Sequence, residues 1–311
     1  MNNENREGTR EMESIGEILS QQPGLAAGRL GERNQTKKTR AEECECHTCG
    51  ARFEGEVSIY AIAGRTREFH PWECPACKEK REAEEERERQ AYLEEARREE
   101  RDKWRRQSGI PDDLMNRTFG NFENSWQDRS LKVCRKYAEG FKLEEARGYR
   151  SLILYSEKPG LGKTHLMVSI VNYIIDNWNG EPGRLACPIR FESGPGLVRR
   201  IRATYNLPQA DWNHEREEDI YAQLRGVKLL MLDDVGKEKP SDFTRELYWY
   251  VIDERVKSGL PIVMSCRLPL EGENSLEKLM GEDTVDRLYG MTHGHIETLK
   301  GQSYRRIKGV A

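Results

Sequence analysis

The sequence predicts an alternating α/β domain, a parallel sheet covered by helices on both faces, standing behind a small metal-binding ribbon. Three observations predict it. Short apolar runs that read as buried strands recur at residues 151–155, 189–192, 227–232, 261–265 and 295–299. Amphipathic helical patterns separate them at 164–178, 196–205 and 243–257, the order that builds a parallel sheet. Two Cys-x-x-Cys pairs precede them all.

Taken in order, residues 1–43 are polar and charged with no sustained apolar period, which predicts a disordered N-terminal segment. Within it Met12, Ile15, Ile18 and Leu19 fall on one face of a short helix, a spacing that suits either a docking peptide for a partner or a transient helix. Residues 44–77 form the ribbon. Cys46-His47-Thr48-Cys49 and Cys74-Pro75-Ala76-Cys77 are two knuckles whose thiolates complete one tetrahedral Zn²⁺ site, with Cys44 and His47 as spare ligands. Phe53, Val57, Ile59, Tyr60 and Ile62 supply strands between the knuckles, too few to fold without the metal.

Residues 78–107 alternate acidic and basic side chains, and i,i+4 pairs such as Glu85 with Arg89 and Glu94 with Arg98 predict a solvated helical linker. Ser108-Gly109-Ile110-Pro111 stops that helix, and 108–311 is the α/β domain. The chain has 311 residues, of which 34% are charged, yet its formal net charge is only -3. Nucleic-acid contact therefore requires a local basic patch rather than a global field. The start, 1–8, is polar, and no apolar run reaches membrane-spanning length, so the expectation is a cytoplasmic protein without a membrane partner.

The chemistry sits after the first strand of the large domain. Glu157-Lys158-Pro159-Gly160-Leu161-Gly162-Lys163-Thr164 joins that strand to a helix, the context a phosphate-binding loop needs. Backbone N–H groups from Gly160 to His165 close round a phosphate at the positive helix end, Lys163 reaches the β- and γ-phosphates, and the Thr164 hydroxyl ligates Mg²⁺. The first glycine of the usual pattern is Glu157 here. A second strand ends in Asp233-Asp234, the first carboxylate for the Mg²⁺ of ATP and the second to orient the attacking water.

With these motifs stand Ile110-Pro111, Thr118-Phe119, Phe122, His165-Leu166, Val235-Gly236, 260–263, Asp286-Arg287-Leu288 and Gly301-x-Ser303-Tyr304-Arg305. Together, over roughly 108–308, they resemble the DnaC/IstB family of AAA+ ATPases, in its helicase-loader branch of the DnaC and DnaI type. The resemblance implies an AAA+ P-loop domain that binds ATP and single-stranded DNA and loads a replicative DNA helicase, as a homo-oligomer during activity. It implies Arg287 as arginine finger and Arg305 as a second sensor, and a zinc-bearing front domain that grips the helicase. Where the family reads Thr-Ser-Asn after the fourth core strand, this chain has Ser265-Cys266-Arg267. Arg199, Arg200 and Arg202, on a helix between the two Walker segments, are the candidate DNA phosphate contacts. Two rival readings are an IstB-like transposition helper, and an adaptor that senses nucleotide with little hydrolysis, to which Glu157, Asp234 and Arg267 point.

Overall fold

A computed structural model describes residues 37–62, 65–123, 125–205 and 215–308. The expected helix around Met12 to Leu19, and most of the expected disordered segment, lie outside them. The chain divides into two compact units, Met1–Arg87 and Glu88–Ala311.

In the first unit β1 (Lys37–Glu45), β2 (Arg52–Ile62) and β3 (Arg65–Phe69) form an antiparallel sheet in that order. β1 begins inside the stretch that the sequence leaves unfolded. It earns its place through backbone pairing, Lys37 opposite Tyr60 through Glu45 opposite Arg52, while charged side chains stay in water. Arg40 ties two strands together through Glu42 at 2.9 Å and Glu68 at 3.2 Å. Val57 is fully buried, but the sheet buries few other apolar residues, so it has little core of its own.

Helix α1 (Pro75–Gln107) starts at the second Cys pair with proline in the first turn, where a missing N–H costs nothing. Its first part lies in one unit and its last turns in the other. Arg81 and Glu85 pair at 2.8 Å, as i,i+4 spacing predicts. In the second unit the helix is more than a connector. Trp104 is completely buried with its ring 4.5 Å from that of Trp178, and Arg105 pairs with Asp176. The helix ends before Gly109, whose φ of 84° and closeness to the Phe191 carbonyl leave no room for a side chain.

The second unit continues with α2 (Asp128–Gly140), β4 (Leu152–Tyr155), α3 (Lys163–Asp176), β5 (Ile189–Ser193), α4 (Gly194–Thr204), α5 (Glu217–Gly226) and β6 (Leu229–Val235). After these come α6 (Asp242–Ser258), β7 (Ile262–Cys266), α7 (Leu276–Met280), α8 (Glu282–Met291), β8 (Ile296–Thr298) and α9 (Tyr304–Lys308). The sheet is parallel, in the order β5-β6-β7-β4-β8. All five expected core strands and the three expected helices are present, with ends that differ from expectation by no more than three residues.

Alternate residues of each strand feed two separate cores, as the period of two requires. Leu152, Leu154, Leu229, Met231 and Val263 join α2 and α3 on one face. Ile153, Leu230, Leu232, Ile262 and Met264 join α4 to α8 on the other. Each such fully buried Leu or Ile contributes about 1.5–3 kcal/mol. At the N-terminal edge of the strands Arg255 is completely buried and donates to the carbonyls of Leu224, Val227, Leu260 and Pro261, tying helix ends to strand starts. Burial pushes its guanidinium down to about 9. No helix among the described residues is long and apolar enough to cross a membrane.

Candidate functional site

The site lies at the carboxyl ends of β4, β6 and β7, where ligands collect in open parallel sheets. β7 lies between the strand that feeds the phosphate loop and the strand that carries the two aspartates. The loop from 156 to 162 turns through Gly160 and Gly162, at φ of 76° and 96°, and hands over to α3 at Lys163. Lys163 is 6% exposed and donates to Ser156 Oγ at 2.5 Å. Burial lowers its pKa, against the pull of Asp234 and Asp233.

Thr164 donates its hydroxyl to Asp233, 3.1 and 2.9 Å from the two carboxylate oxygens. Asp233 is buried, and burial raises its pKa while Ser265 and Thr164 hold it down. A neighbouring hydroxyl and carboxylate are the hard oxygen ligands that suit Mg²⁺. The glycine loop, Lys163 and this oxygen pair thus fit a magnesium-bound nucleoside triphosphate.

Ser265, unassigned by the sequence, is the junction of the site. Its Oγ donates to Asp233 Oδ1 at 2.5 Å and accepts from the Asp234 N–H at 2.9 Å. The cause is a bulge: Leu232 pairs with Met264 and Val235 with Cys266, so two aspartates face one serine. Asp234 takes the left-handed backbone, φ 52°, which Asp tolerates better than most residues. Its carboxylate lies 2.5 Å from Lys237 Nζ, a further contact absent from the sequence reading.

Two segments cover the loop. His165 Nε2 donates to the Thr118 carbonyl at 2.9 Å, and its ring meets the Phe122 ring edge-on at 5.0 Å. A methyl group on Gly162 would lie 2.6 Å from Phe122, and one on Gly160 would lie 2.2 Å from Ser303 Oγ. The Tyr304 N–H donates to the Gly160 carbonyl at 2.9 Å, and the Tyr304 hydroxyl to Glu123 at 2.8 Å. A cavity of about 220 Å³ opens beside Glu157, Lys158, Leu161 and Gly301. Leu161 itself is buried.

The remaining candidates are dispersed. Arg305 on α9 is exposed, and Arg287 on α8 is paired with Asp253 of α6. Of the three candidate DNA contacts, Arg199 is exposed and Arg202 lies 4.9 Å above the Phe243 ring. Arg200 is committed to Glu192, Glu215 and Gln223. The arginine row read as one surface is therefore two solvent-facing cations and one internal ion pair.

In the first unit Cys46, Cys49, Cys74 and Cys77 present sulfurs within 4.8 Å of one another. Tetrahedral Zn–S bonds of about 2.3 Å place sulfurs about 3.8 Å apart, and the Cys49–Cys74 separation is 3.8 Å. The Cys74 N–H donates to Cys46 Sγ at 3.2 Å and pulls that thiol down to about 6, while its neighbours, Cys49 first, push Cys77 up to about 12. Four sulfurs clustered at that spacing fit Zn²⁺. Cys44 instead points its sulfur at the Glu42 carbonyl, and His47 is not in the cluster.

No protein-family model matches the chain. The chain is 29% identical over 205 residues to the replicative helicase loader DnaC of Buchnera aphidicola subsp. Acyrthosiphon pisum, a match covering 65% of this chain and 75% of that protein. The DnaC of Buchnera aphidicola subsp. Schizaphis graminum is 28% identical over 183 residues, covering 58% of this chain and 66% of its own length, just under two thirds. Among solved structures, a DnaC helicase loader aligns with a TM-score of 0.46 at 23% identity, over 61% of this chain and 100% of that one. The sequence relatives bear out the resemblance carried by the motifs, and the architecture is a five-stranded parallel sheet with a phosphate loop after β4, in a chain whose first unit carries the four-cysteine cluster.

Proposed function

We propose that this chain is an ATP-dependent loader of a replicative DNA helicase. The observation that carries the reading is the assembled constellation of Lys163, Thr164, Asp233 and Ser265 round one glycine loop, in a chain similar to proteins named replicative helicase loader DnaC. Bound Mg²⁺ and ATP supply the electrophilic γ-phosphorus and a scissile anhydride. Around them the chain's own groups divide the work. Gly160 to His165 wrap the phosphates, Lys163 neutralises them, and Thr164 and Asp233 ligate Mg²⁺. Ser265 fixes Asp233, and Asp234 orients water once its carboxylate is free of Lys237.

Arg287 acts on the nucleotide of a neighbouring subunit and Arg305 on that of its own, so hydrolysis is weak in the lone chain and rises on homo-oligomer assembly. The ribbon, closed by Zn²⁺ on Cys46, Cys49, Cys74 and Cys77, grips the helicase in the cytoplasm. Arg199 and Arg202 contact single-stranded DNA, with Arg200 holding their helix in place.

One observation favours a second reading, a nucleotide-sensing adaptor with little hydrolysis: the Lys237 ammonium already occupies Asp234. The deciding experiment offers the full chain, a replicative helicase and closed circular single-stranded DNA, with ATP or a non-hydrolysable analogue. Helicase transferred to the circle only when the chain and ATP are present supports a loader. Transfer equally efficient with the analogue supports the adaptor, and capture of a transposase in place of the helicase supports the transposition helper.

A further inference from the structure

Arg287 is held where it stands by a carboxylate that serves two cations at once. Asp253 lies on α6, packed against α8 through Leu247, Val251, Val285 and Leu288, and is only 4% exposed. Its Oδ1 accepts from Arg287 Nη1 and its Oδ2 lies 2.6 Å from Lys257 Nζ, one turn further along α6. The two cations are by contrast open to solvent, Arg287 at 45% and Lys257 at 64% of their side chains. Lys257 also reaches Glu254 at 3.2 Å. The remaining N–H groups of Arg287 meet no acceptor among the described residues.

This arrangement has an uneven charge count. A buried carboxylate needs one counter-ion, and stripping it of its last partner is strongly unfavourable. Glu254 is matched by Arg225 at 3.7 Å, so with two cations seated on Asp253 the cluster is positive by one, and the cations repel across the carboxylate. Departure of Arg287 leaves a neutral Asp253–Lys257 pair, so the guanidinium can leave without exposing a bare buried charge. A fixed structural clamp would need only the one pair. Lys257 and then Arg287 hold the Asp253 carboxyl below its ordinary range.

We propose that Asp253 and Lys257 are positioning residues that form a release dock for Arg287. Asp253 retains the guanidinium in the lone subunit, and Lys257 takes over as counter-ion when Arg287 swings to a phosphate of the neighbouring subunit's nucleotide. The inference rests on the reading of Arg287 as a trans-acting finger.

The test measures ATP hydrolysis per chain against protein concentration, with ATP affinity and thermal unfolding recorded alongside, for Arg287→Ala, Asp253→Asn, Lys257→Met and Lys257→Arg. The dock predicts opposite signs. Asp253→Asn frees the finger and moves the activation curve to lower concentration, whereas Lys257→Met strands it on Asp253 and moves the curve up. Each shift is about two- to fivefold, the range of one partly exposed ion pair. Lys257→Arg restores the parental curve, and ATP affinity stays constant throughout. If Arg287→Ala hydrolyses ATP like the parent, the finger reading falls and the dock with it. If Arg287→Ala is slow but Asp253→Asn and Lys257→Met move activity the same way, or not at all, the dock alone is wrong. Lys257 is a surface residue, so its variants fold even where Asp253→Asn does not.

Discussion

Ser265 and Asp233 share a hydrogen bond of 2.5 Å, and the same serine oxygen caps the N–H of Asp234. One hydroxyl from β7 thereby holds the Asp233 carboxylate and the Asp234 backbone on β6. Ser265→Ala removes a donor from a buried anion and leaves a backbone N–H without a partner, a loss of about 1–3 kcal/mol. The expected outcome is weaker Mg²⁺-dependent ATP binding together with slower hydrolysis, while Ser265→Thr keeps the hydroxyl and much of the activity. Calorimetric titration with ATP and magnesium, compared with steady-state turnover, checks both. Parental values for the alanine variant remove Ser265 from the site.

That serine also shows what the sequence could and could not say. The strand runs, the glycine loop and Asp233-Asp234 were legible because buried strands and phosphate loops demand particular residue types at fixed spacing. Ser265 was not, since its role depends on β7 lying beside β6, and strand order is not written in any local pattern. A polar residue closing an otherwise apolar strand, 261–265, was the available signal. Trp104 was hidden for a different reason: one aromatic in a charge-balanced helix carries no amphipathic period, although it ends fully buried. Arg200 and Arg255 mislead by composition, because arginine reads as a surface residue until its carboxylates or carbonyls are located in space.

In the proposed mechanism Lys163 and Asp234 divide binding from chemistry. Lys163 would meet phosphate in the ground state, so its loss should take away a charge-assisted contact of about 1.5–3 kcal/mol. Asp234 would act on the water, so Asp234→Asn should keep ATP affinity and slow turnover by about 10²-fold or more. Lys237→Met removes the cation from Asp234 and raises basal turnover in an otherwise parental chain. Fluorescent nucleotide binding and phosphate release separate the three; equal loss of affinity in Lys163→Ala and Asp234→Asn contradicts the division of labour.

The ribbon should hold about one zinc per chain, because four sulfurs make one tetrahedral site. Structural zinc supplies folding free energy directly, on the order of 10–16 kcal/mol in small zinc-finger peptides. Chelation, or Cys74→Ser, should therefore melt the sheet β1-β2-β3 and abolish helicase capture while leaving ATP binding by the second unit intact. Elemental analysis and hydrogen exchange over 37–77 read this out. Cys44→Ser, whose sulfur faces the Glu42 carbonyl at 3.5 Å, should retain the metal.

The arginines of α4 give the sharpest separation between a DNA surface and a structural one. Arg199 and Arg202 face solvent, whereas Arg200 is locked to Glu192 and Glu215. A cation that neutralises a DNA phosphate releases a counter-ion, and each such contact on a single strand contributes about 0.7 to the slope of log affinity against log salt. Replacing Arg199 and Arg202 together should lower the slope by roughly 1.4, twice that per-contact value, and weaken binding uniformly across sequences. Arg200→Ala should act otherwise. It leaves the buried Glu192 with Arg190 as its remaining cation, at 2.7 Å, so the cost appears in thermal stability. Its salt slope should stay near that of the parent. Fluorescence anisotropy with labelled oligonucleotides at several salt concentrations, beside thermal melts, distinguishes the two. An unchanged slope in the Arg199 and Arg202 double variant moves the DNA surface away from α4, and a slope that falls with Arg200→Ala means that its ion pair opens to admit a phosphate.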